Sequence, residues 1–76
     1  MTSPEILDAT AIPPRVRHPT IFAKFDALEP GQFFQLVNDH DPVPLMYQFQ
    51  MERPGAFGWE KVEDGPQTWR VNISRR

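Results

Sequence analysis

The fold is decided by residues 34–42, FQLVNDHDP, an apolar run that ends abruptly in polar residues. Gln32 to Val37 is rich in aromatic and branched residues, which favours a β-strand at the centre of a sheet. Asn38 to Asp41 then predicts a polar turn. Asp41 is a favoured N-cap and Pro42 suits the first helical position, so we expect a helix to begin there and to run to about Glu52.

The residues before this stretch predict a first strand and a first helix. Ile6 to Ile12 supplies a short strand, which the Pro13-Pro14 pair ends, while Met1 to Pro4 is expected to be a frayed end. His18 is placed at the N-cap of a helix that runs from Pro19 to Leu28. The apolar residues of this helix recur at helical spacing: Ile21, Phe22, Phe25 and Leu28.

The residues after the second helix predict a β-hairpin. Phe57 and Trp59 share one side of a third strand, residues 63–66 form a turn, and the fourth strand alternates apolar with polar residues: Trp69, Val71 and Ile73 against Arg70, Asn72 and Ser74. The order β-α-β-α-β-β predicts an α+β fold, a two-layer sandwich in which a four-stranded mixed sheet carries both helices on one face.

Composition limits the classes of function. The 76 residues are expected to form one domain, 1–76, with an ordered core at about 5–74. A net charge of -2 offers no basic surface, so no nucleic-acid partner is expected. With no cysteine, disulfides, thiolate nucleophiles and thiolate-ligated metals are excluded. No apolar run approaches the ~20 residues that cross a bilayer, and no signal-peptide core is visible, so we expect a cytoplasmic protein without a membrane partner.

The parallel pairing predicted for the first two strands places two polar loops at one edge of the sheet. One loop contains Arg15, Arg17 and His18; the other contains Asn38, Asp39 and His40. Open α/β sheets bind ligands at the carboxyl ends of their strands. Two helix N-termini are expected at the same edge, where free N–H groups favour an anion or an oxygen-rich ligand. These six residues are therefore the predicted ligand-binding site.

His18 and His40 are also candidate ligands of a metal ion or of a haem iron, because imidazole is the commonest metal-binding side chain. Asp39 or Asp41 would complete a set of two histidines and one carboxylate. A purely structural interpretation stays open for each residue. His40 would then bond the turn backbone, His18 and Asp41 would cap helices, and the two arginines would be solvated rather than clamp an anion.

Five motifs give the chain a resemblance to a known family: RHPTIF at 17–22, FDALEPG at 25–31, FQLVNDHDP at 34–42, YQF at 47–49 and WRV at 69–71. From about Leu7 to Arg76 the chain resembles the bacterial domain of unknown function family 2249. The resemblance implies a fold similar to that of the TusA/SirA sulfur-carrier proteins. It also implies an association with hemerythrin-type cation-binding domains and with denitrification and nitric-oxide gene neighbourhoods, but no established activity.

The likeness to the sulfur carriers does not extend to their chemistry. Their Cys-Pro-x-Pro motif lies between the first strand and the first helix, and by that count the carrier cysteine falls on Pro14. Persulfide transfer requires a nucleophilic thiolate. The resemblance therefore implies the fold without sulfur-carrier activity.

Two functions follow from the sequence. The first is a small accessory module that binds a metal, cofactor or small ligand at the His18/His40 edge in redox or nitrogen-oxide metabolism. The second is a protein-interaction module that uses its open sheet face or loop edge, with a hemerythrin-type domain, a redox enzyme or a second copy as partner, so that the protein is a monomer or a weak homodimer. An enzyme is the third and least favoured class, because the sequence shows no nucleophile with an adjacent base, no Gly-rich phosphate loop and no metal signature with strict spacing.

Overall fold

The strands and helices follow the chain order that the periodicity predicts. The computed structural model describes residues 5–76, so the frayed end expected at residues 1–4 lies outside the described residues. The elements are β1 (Glu5–Asp8), a 3-10 turn (Ala9–Ala11), α1 (Pro14–Asp26), β2 (Phe33–Asn38), α2 (Val43–Glu52), β3 (Phe57–Asp64) and β4 (Trp69–Arg75). This order confirms the α+β two-layer sandwich.

The sheet has the strand order β1-β2-β4-β3, so β2 and β4 are central and β1 and β3 are its edges. β1 pairs parallel with β2, with Leu7 opposite Leu36, whereas β4 pairs antiparallel with both β2 and β3. Phe34 and Leu36 occupy alternate positions of β2 and are buried. The stretch that ends in the polar turn is therefore a central strand, and the parallel pairing with β1 is as predicted.

The core lies between the sheet and both helices, which pack on the same face. Its buried apolar side chains come from the 3-10 turn, both helices, β2 and β4: Ala9, Ile21, Phe22, Phe25, Phe34, Leu36, Leu45, Phe49, Val71 and Ile73. Phe49 is the centre of the aromatic packing. Its ring centroid lies 4.3 Å from Phe22, 5.2 Å from Phe25, 5.3 Å from Phe57 and 6.0 Å from Trp59.

The two helices run side by side in the same direction. Phe22 of α1 stacks on Phe49 of α2. One turn further along α1, the Asp26 carboxylate accepts two hydrogen bonds from Arg53, at 3.0 and 2.8 Å, just beyond the end of α2. Because the contacts advance together along both helices, their N-termini lie at the same end of the molecule. Neither of these helices is long and apolar enough to cross a membrane.

The first helix begins earlier than predicted. α1 starts at Pro14 rather than Pro19, so His18 lies inside the helix and is not an N-cap. Pro14 meets the requirement for proline at the first helical position as well as Pro19 does. Pro19 removes one N–H donor from the helix interior and leaves the carbonyl of Arg15 without its usual partner. Arg15 is exposed, so water can bond that carbonyl.

The first strand ends earlier than predicted. β1 stops at Asp8, and the 3-10 turn replaces the expected continuation to Ile12. The Asp8 Oδ1 accepts hydrogen bonds from Thr10 Oγ1 at 2.6 Å and from Thr10 N at 2.9 Å. These two bonds hold the pKa of Asp8 below its usual value, and the bond from the hydroxyl has the larger effect. The carboxylate thus caps the turn that ends the strand.

Asp41 is not the N-cap that the sequence predicts. α2 begins at Val43 with Pro42 at the N-cap position and with no side-chain capping hydrogen bond. The Asp41 carboxylate lies 3.5 Å from Lys61 Nζ on β3 instead. Because proline at position 42 is itself compatible with the start of a helix, the carboxylate is left to pair with the sheet.

The hairpin turn follows later than predicted. β3 continues to Asp64, because a bulge between Lys61 and Glu63 takes up an extra residue in the pairing with β4. The turn is closed by a hydrogen bond from Gly65 N to Thr68 O at 2.9 Å. The predicted turn at 63–66 is therefore displaced by two residues, while the alternation in β4 is confirmed by the buried Val71 and Ile73.

The open face of the sheet carries a connected polar network. Gln35 Nε2 donates to Asn72 Oδ1 at 3.1 Å, and Asn72 Nδ2 donates to Glu60 Oε1 at 3.1 Å. Arg70 donates to both Gln35 Oε1 and Glu63 Oε1, at 2.9 and 3.1 Å. The network spans β2, β4 and β3 on the side away from the helices.

Candidate functional site

A cavity of about 110 Å³ lies where the N-terminal halves of both helices meet the end of β2. It is lined by Pro14, Arg17, His18, Ile21, Asn38, His40, Pro42, Pro44 and Leu45. Both histidines of the chain therefore line one cavity, at the edge that the parallel pairing of β1 and β2 predicts. Its polar lining consists of one guanidinium, two imidazoles and one amide.

Arg17 is fixed by the chain segment just before α1. Its Nη2 and Nε donate to the carbonyl oxygen of Ile12, at 3.0 and 3.3 Å. These bonds use one edge of the guanidinium and leave Nη1 with no acceptor within hydrogen-bonding distance among residues 5–76. A permanent positive charge is thus held at the cavity wall by two bonds to the backbone.

His18 is fixed by α2. Its Nδ1 lies 2.6 Å from Gln48 Oε1, and Gln48 Nε2 donates to Glu52 Oε2 at 2.7 Å. The helix start at Pro14 is what makes this contact possible, because it places His18 on α1 beside α2 rather than in a loop. His18 therefore meets the cavity as part of a helix–helix contact.

Asn38, the last residue of β2, is the most buried polar side chain in the described part of the chain, at 5% exposed. Its Oδ1 accepts a hydrogen bond from Asp39 N at 2.9 Å, which directs the amide oxygen to the turn. Its Nδ2 has no acceptor within hydrogen-bonding distance among residues 5–76. In these residues no fully buried side-chain nitrogen or oxygen lacks a partner, so Nδ2 opens to the cavity or to solvent.

His40 is the outermost group of the lining. Its Nδ1 lies 2.8 Å from Asp39 Oδ1, and both side chains are more than half exposed. The hydrogen bond with His40 holds the pKa of Asp39 below its usual value. The Asp39 carboxylate is therefore engaged by the imidazole beside it and is not part of the cavity wall.

The structure brings together four of the six predicted ligand-binding residues: Arg17, His18, Asn38 and His40. Arg15 is exposed on α1 outside the lining. Asp39 also lies outside it, where its carboxylate bonds His40 and is close enough to Arg17 for the two charges to interact. Sequence reasoning missed Gln48, which orients His18. The sequence does contain one indication of this role for Gln48. It is a polar residue next to the core residue Phe49, on a helix that packs against another helix.

The metal hypothesis meets an arrangement that is poor in ligands. Within residues 5–76, no three His, Asp or Glu side chains are grouped so that they could hold a metal ion. Asp41, which the sequence offered as a third ligand, lies beside Lys61. Arg17 adds a positive charge to the same wall as the imidazoles. The cavity is thus better matched to a negative than to a positive ligand.

Comparison with known proteins identifies a family and no closer relative. The family model described as "Uncharacterized conserved protein (DUF2249)" matches residues 6–75, nearly the whole chain. The protein therefore belongs to this family, as its motifs predicted. No match was found among curated proteins or among solved structures.

Proposed function

We propose that this member of an uncharacterised family is a non-catalytic module that binds a small anion, such as an oxyanion or a short carboxylate, in the cavity between α1, α2 and the end of β2. The observation that carries the proposal is the polar lining itself. Arg17 and Asn38 each have an N–H group free to donate, His18 and His40 can donate from Nε2 when it carries a proton, and no carboxylate is part of the lining.

Backbone electrostatics support the same charge of ligand. Pro14 of α1 and Pro44 of α2 both line the cavity, so the positive ends of both helix dipoles are near it. Pro14 and Pro44 have no N–H, and Val16 N and Met46 N already donate to Pro13 O and Pro42 O. The helix ends therefore add to the attraction of the guanidinium for an anion through their dipoles.

The size of the cavity limits the ligand. At about 110 Å³ it is far below the ~300–1,000 Å³ of sites for drug-sized ligands, which argues against haem. One water molecule takes ~30 Å³ in the liquid, so the space suits an ion of a few non-hydrogen atoms. Nitrite, nitrate and formate are of this size.

The biological setting comes from the family resemblance. Association with hemerythrin-type domains and with denitrification genes supports a role as a cytoplasmic accessory module in redox or nitrogen-oxide metabolism. Nitrite is then the first anion to test, because it belongs to that chemistry and is small enough for the cavity.

The test is a titration of ¹⁵N-labelled protein with sodium nitrite at about pH 6, where imidazole side chains are usually part protonated. We expect saturable shifts of the backbone amides of Arg17, His18, Asn38 and His40. Arg17→Gln should weaken binding about ten- to hundredfold, because a hydrogen bond to a charged group contributes ~1.5–3 kcal/mol. Arg15→Gln makes the same charge change on the same helix outside the cavity and should bind as the parent does.

Two results would contradict the proposal. One is the absence of saturable shifts; the other is equal weakening by Arg15→Gln and Arg17→Gln, which would mean attraction by net charge alone. A parallel titration with Zn²⁺ addresses the metal alternative. The metal-binding function would be favoured by three results together. The parent would bind zinc, a His18→Ala, His40→Ala double variant would not, and the parent would not bind nitrite.

A protein-interaction module is the second candidate, and one observation favours it. Tyr47 and Met51 lie one turn apart on α2 and are 58% and 76% exposed. The open sheet face suits docking less well, because its polar side chains already bond one another. A hemerythrin-type domain or a redox enzyme is the proposed partner. Sedimentation of a mixture with such a domain, before and after Met51→Glu, would reveal a complex through α2.

A further inference from the structure

The orientation of the Gln48 amide is determined by its two neighbours. Its nitrogen lies 2.7 Å from Glu52 Oε2, and its oxygen lies 2.6 Å from His18 Nδ1. A carboxylate only accepts hydrogen bonds, so the group facing Glu52 must be the NH₂. Rotating the amide by half a turn would set two acceptors against each other at Glu52. The amide oxygen therefore faces His18.

This orientation determines which nitrogen of His18 holds the proton. The amide oxygen accepts only, so Nδ1 has to donate to it. In the neutral ring, Nε2 is then an unprotonated acceptor. Nε2 has no partner within hydrogen-bonding distance among residues 5–76, and it is not sealed from solvent, since no fully buried side-chain nitrogen there lacks a partner. It is the ring nitrogen left to meet a ligand.

We propose that Gln48, oriented by Glu52, is a positioning residue that holds His18 as the Nδ1–H tautomer, so that His18 binds an anion in the cavity only after Nε2 has taken a proton from solvent. The binding half rests on the anion-binding function proposed above, whereas the tautomer half does not. In the neutral Nδ1–H ring, the lone pair of Nε2 would face the anion and repel it. The imidazolium turns an N–H donor and a positive charge to it.

The charged groups around the ring come from every element that packs against it. Arg17 of α1 lines the same cavity, and Glu52 of α2 lies behind Gln48. On the connection after β2, His40 lines the cavity with its Asp39 partner. His40 also has Nδ1 beside an oxygen acceptor, and changing Gln48 leaves that contact in place.

The tautomer can be measured without any ligand. Long-range ¹H–¹⁵N correlation spectra at about pH 8, above the usual titration range of imidazole, distinguish a protonated from an unprotonated ring nitrogen. We expect His18 to show a protonated Nδ1 and a bare Nε2. In Gln48→Leu both tautomers should be populated. Gln48→Glu combined with Glu52→Gln, which keeps an acceptor beside Nδ1 and gives position 52 a donor, should restore the parent pattern. Gln50→Leu, an exposed change on the same helix, should leave it unaltered.

The binding half is tested by repeating the nitrite titration from about pH 6 to pH 8. If His18 must take up a proton, the dissociation constant of the parent rises by up to tenfold per pH unit from this group alone. In Gln48→Leu a neutral ring can donate from Nε2. The slope of log Kd against pH should therefore fall by up to one relative to the parent and to Gln50→Leu.

The outcomes separate the two halves. A protonated Nε2 in the parent, or a His18 pattern unaffected by Gln48→Leu, would overturn the positioning role whatever nitrite does. Equal slopes in the parent and in Gln48→Leu would overturn the proton linkage. An absence of nitrite binding with the expected tautomer would overturn the anion-binding function together with the linkage, while the role of Gln48 in fixing the tautomer would stand.

Discussion

Replacing Phe49 by alanine should remove a large part of the stability of the domain. The Phe49 side chain is 0% exposed, and its ring packs against Phe22 of α1 and against Phe57 of β3. Truncation would open a cavity between the two layers that the rest of the core cannot easily fill. Tyr47, two residues earlier on the same helix and 58% exposed, provides the matched control.

The magnitude follows from burial and from the ring contacts. Phe→Ala changes in cores cost ~3–5 kcal/mol, and aromatic pairs contribute ~0.5–1.5 kcal/mol each beyond the area they bury. Since Phe49 pairs with four other rings, we expect a loss in the upper part of that range. A domain of 76 residues has a free energy of unfolding of about 4–11 kcal/mol. The expected loss of ~4–5 kcal/mol would remove all of the stability at the lower end of this range and nearly half of it at the upper end.

The measurement is urea unfolding followed by far-UV circular dichroism, with the parent, Phe49→Ala and Tyr47→Ala compared at one pH. Tyr47→Ala should change the free energy of unfolding by less than about 0.5 kcal/mol. If Phe49→Ala is unfolded without urea, Phe49→Leu keeps an apolar side chain and should give a measurable intermediate value. A loss below about 2 kcal/mol for Phe49→Ala would refute the central role of this ring.

Two further predictions concern a glycine and an ion pair. Gly55 and Gly65 both have positive φ, so replacing either by alanine costs about 1–2 kcal/mol for an L-residue in the left-handed region. At Gly65 the new Cβ would also lie 2.5 Å from the Trp69 ring, whereas at Gly55 it would meet no atom within 4 Å. In urea unfolding, Gly65→Ala should therefore be the more destabilising, and equal losses would contradict the contact. The hydrogen bond from Arg53 lowers the pKa of Asp26 in the folded state. The ionised Asp26 carboxylate therefore stabilises the fold above pH ~4, and this contribution is lost as the pH falls through the folded-state pKa. Asp26→Asn should destabilise the domain at about pH 7 and leave it unchanged at about pH 2; a loss independent of pH would argue against this linkage.

Periodicity predicted the layers of the fold because it reports burial directly. Phe34 and Leu36 alternate with half-buried neighbours as a strand facing a core must, and Ile21, Phe22 and Phe25 share one helical face. These patterns depend on many residues, so one misplaced boundary does not alter them. The two-layer sandwich could therefore be predicted from the sequence.

Element ends were harder to predict because few local interactions decide them. Pro14 and Pro19 both suit the first turn of a helix, and local preference does not choose between them. Side-chain contacts favour the start at Pro14. Both the hydrogen bond from Arg17 to the carbonyl of Ile12 and the contact of His18 with α2 require the helix to begin there. The same holds for Asp41, which finds Lys61 on a distant strand.

The place of the candidate site could be predicted from the sequence, but the contacts within it could not. Parallel pairing of β1 with β2 predicts that the segments before α1 and after β2 meet, and Arg17, His18, Asn38 and His40 do line one cavity. The contact of His18 with Gln48 depends on how α1 and α2 lie against each other. That arrangement follows from packing around Phe49, which no local pattern encodes.

The position of β4 in the sheet has a consequence for how the chain reaches its native state. β4 is the last strand in chain order yet lies at the centre, where Phe34 pairs with Ile73. Until β4 docks, β2 lacks one of its two ladders and β3 has no partner in the sheet. Closing so long a loop costs entropy before any pairing compensates for it. Folding should therefore be all-or-none and slower than that of a helical protein of equal length, with no stable substructure along the way.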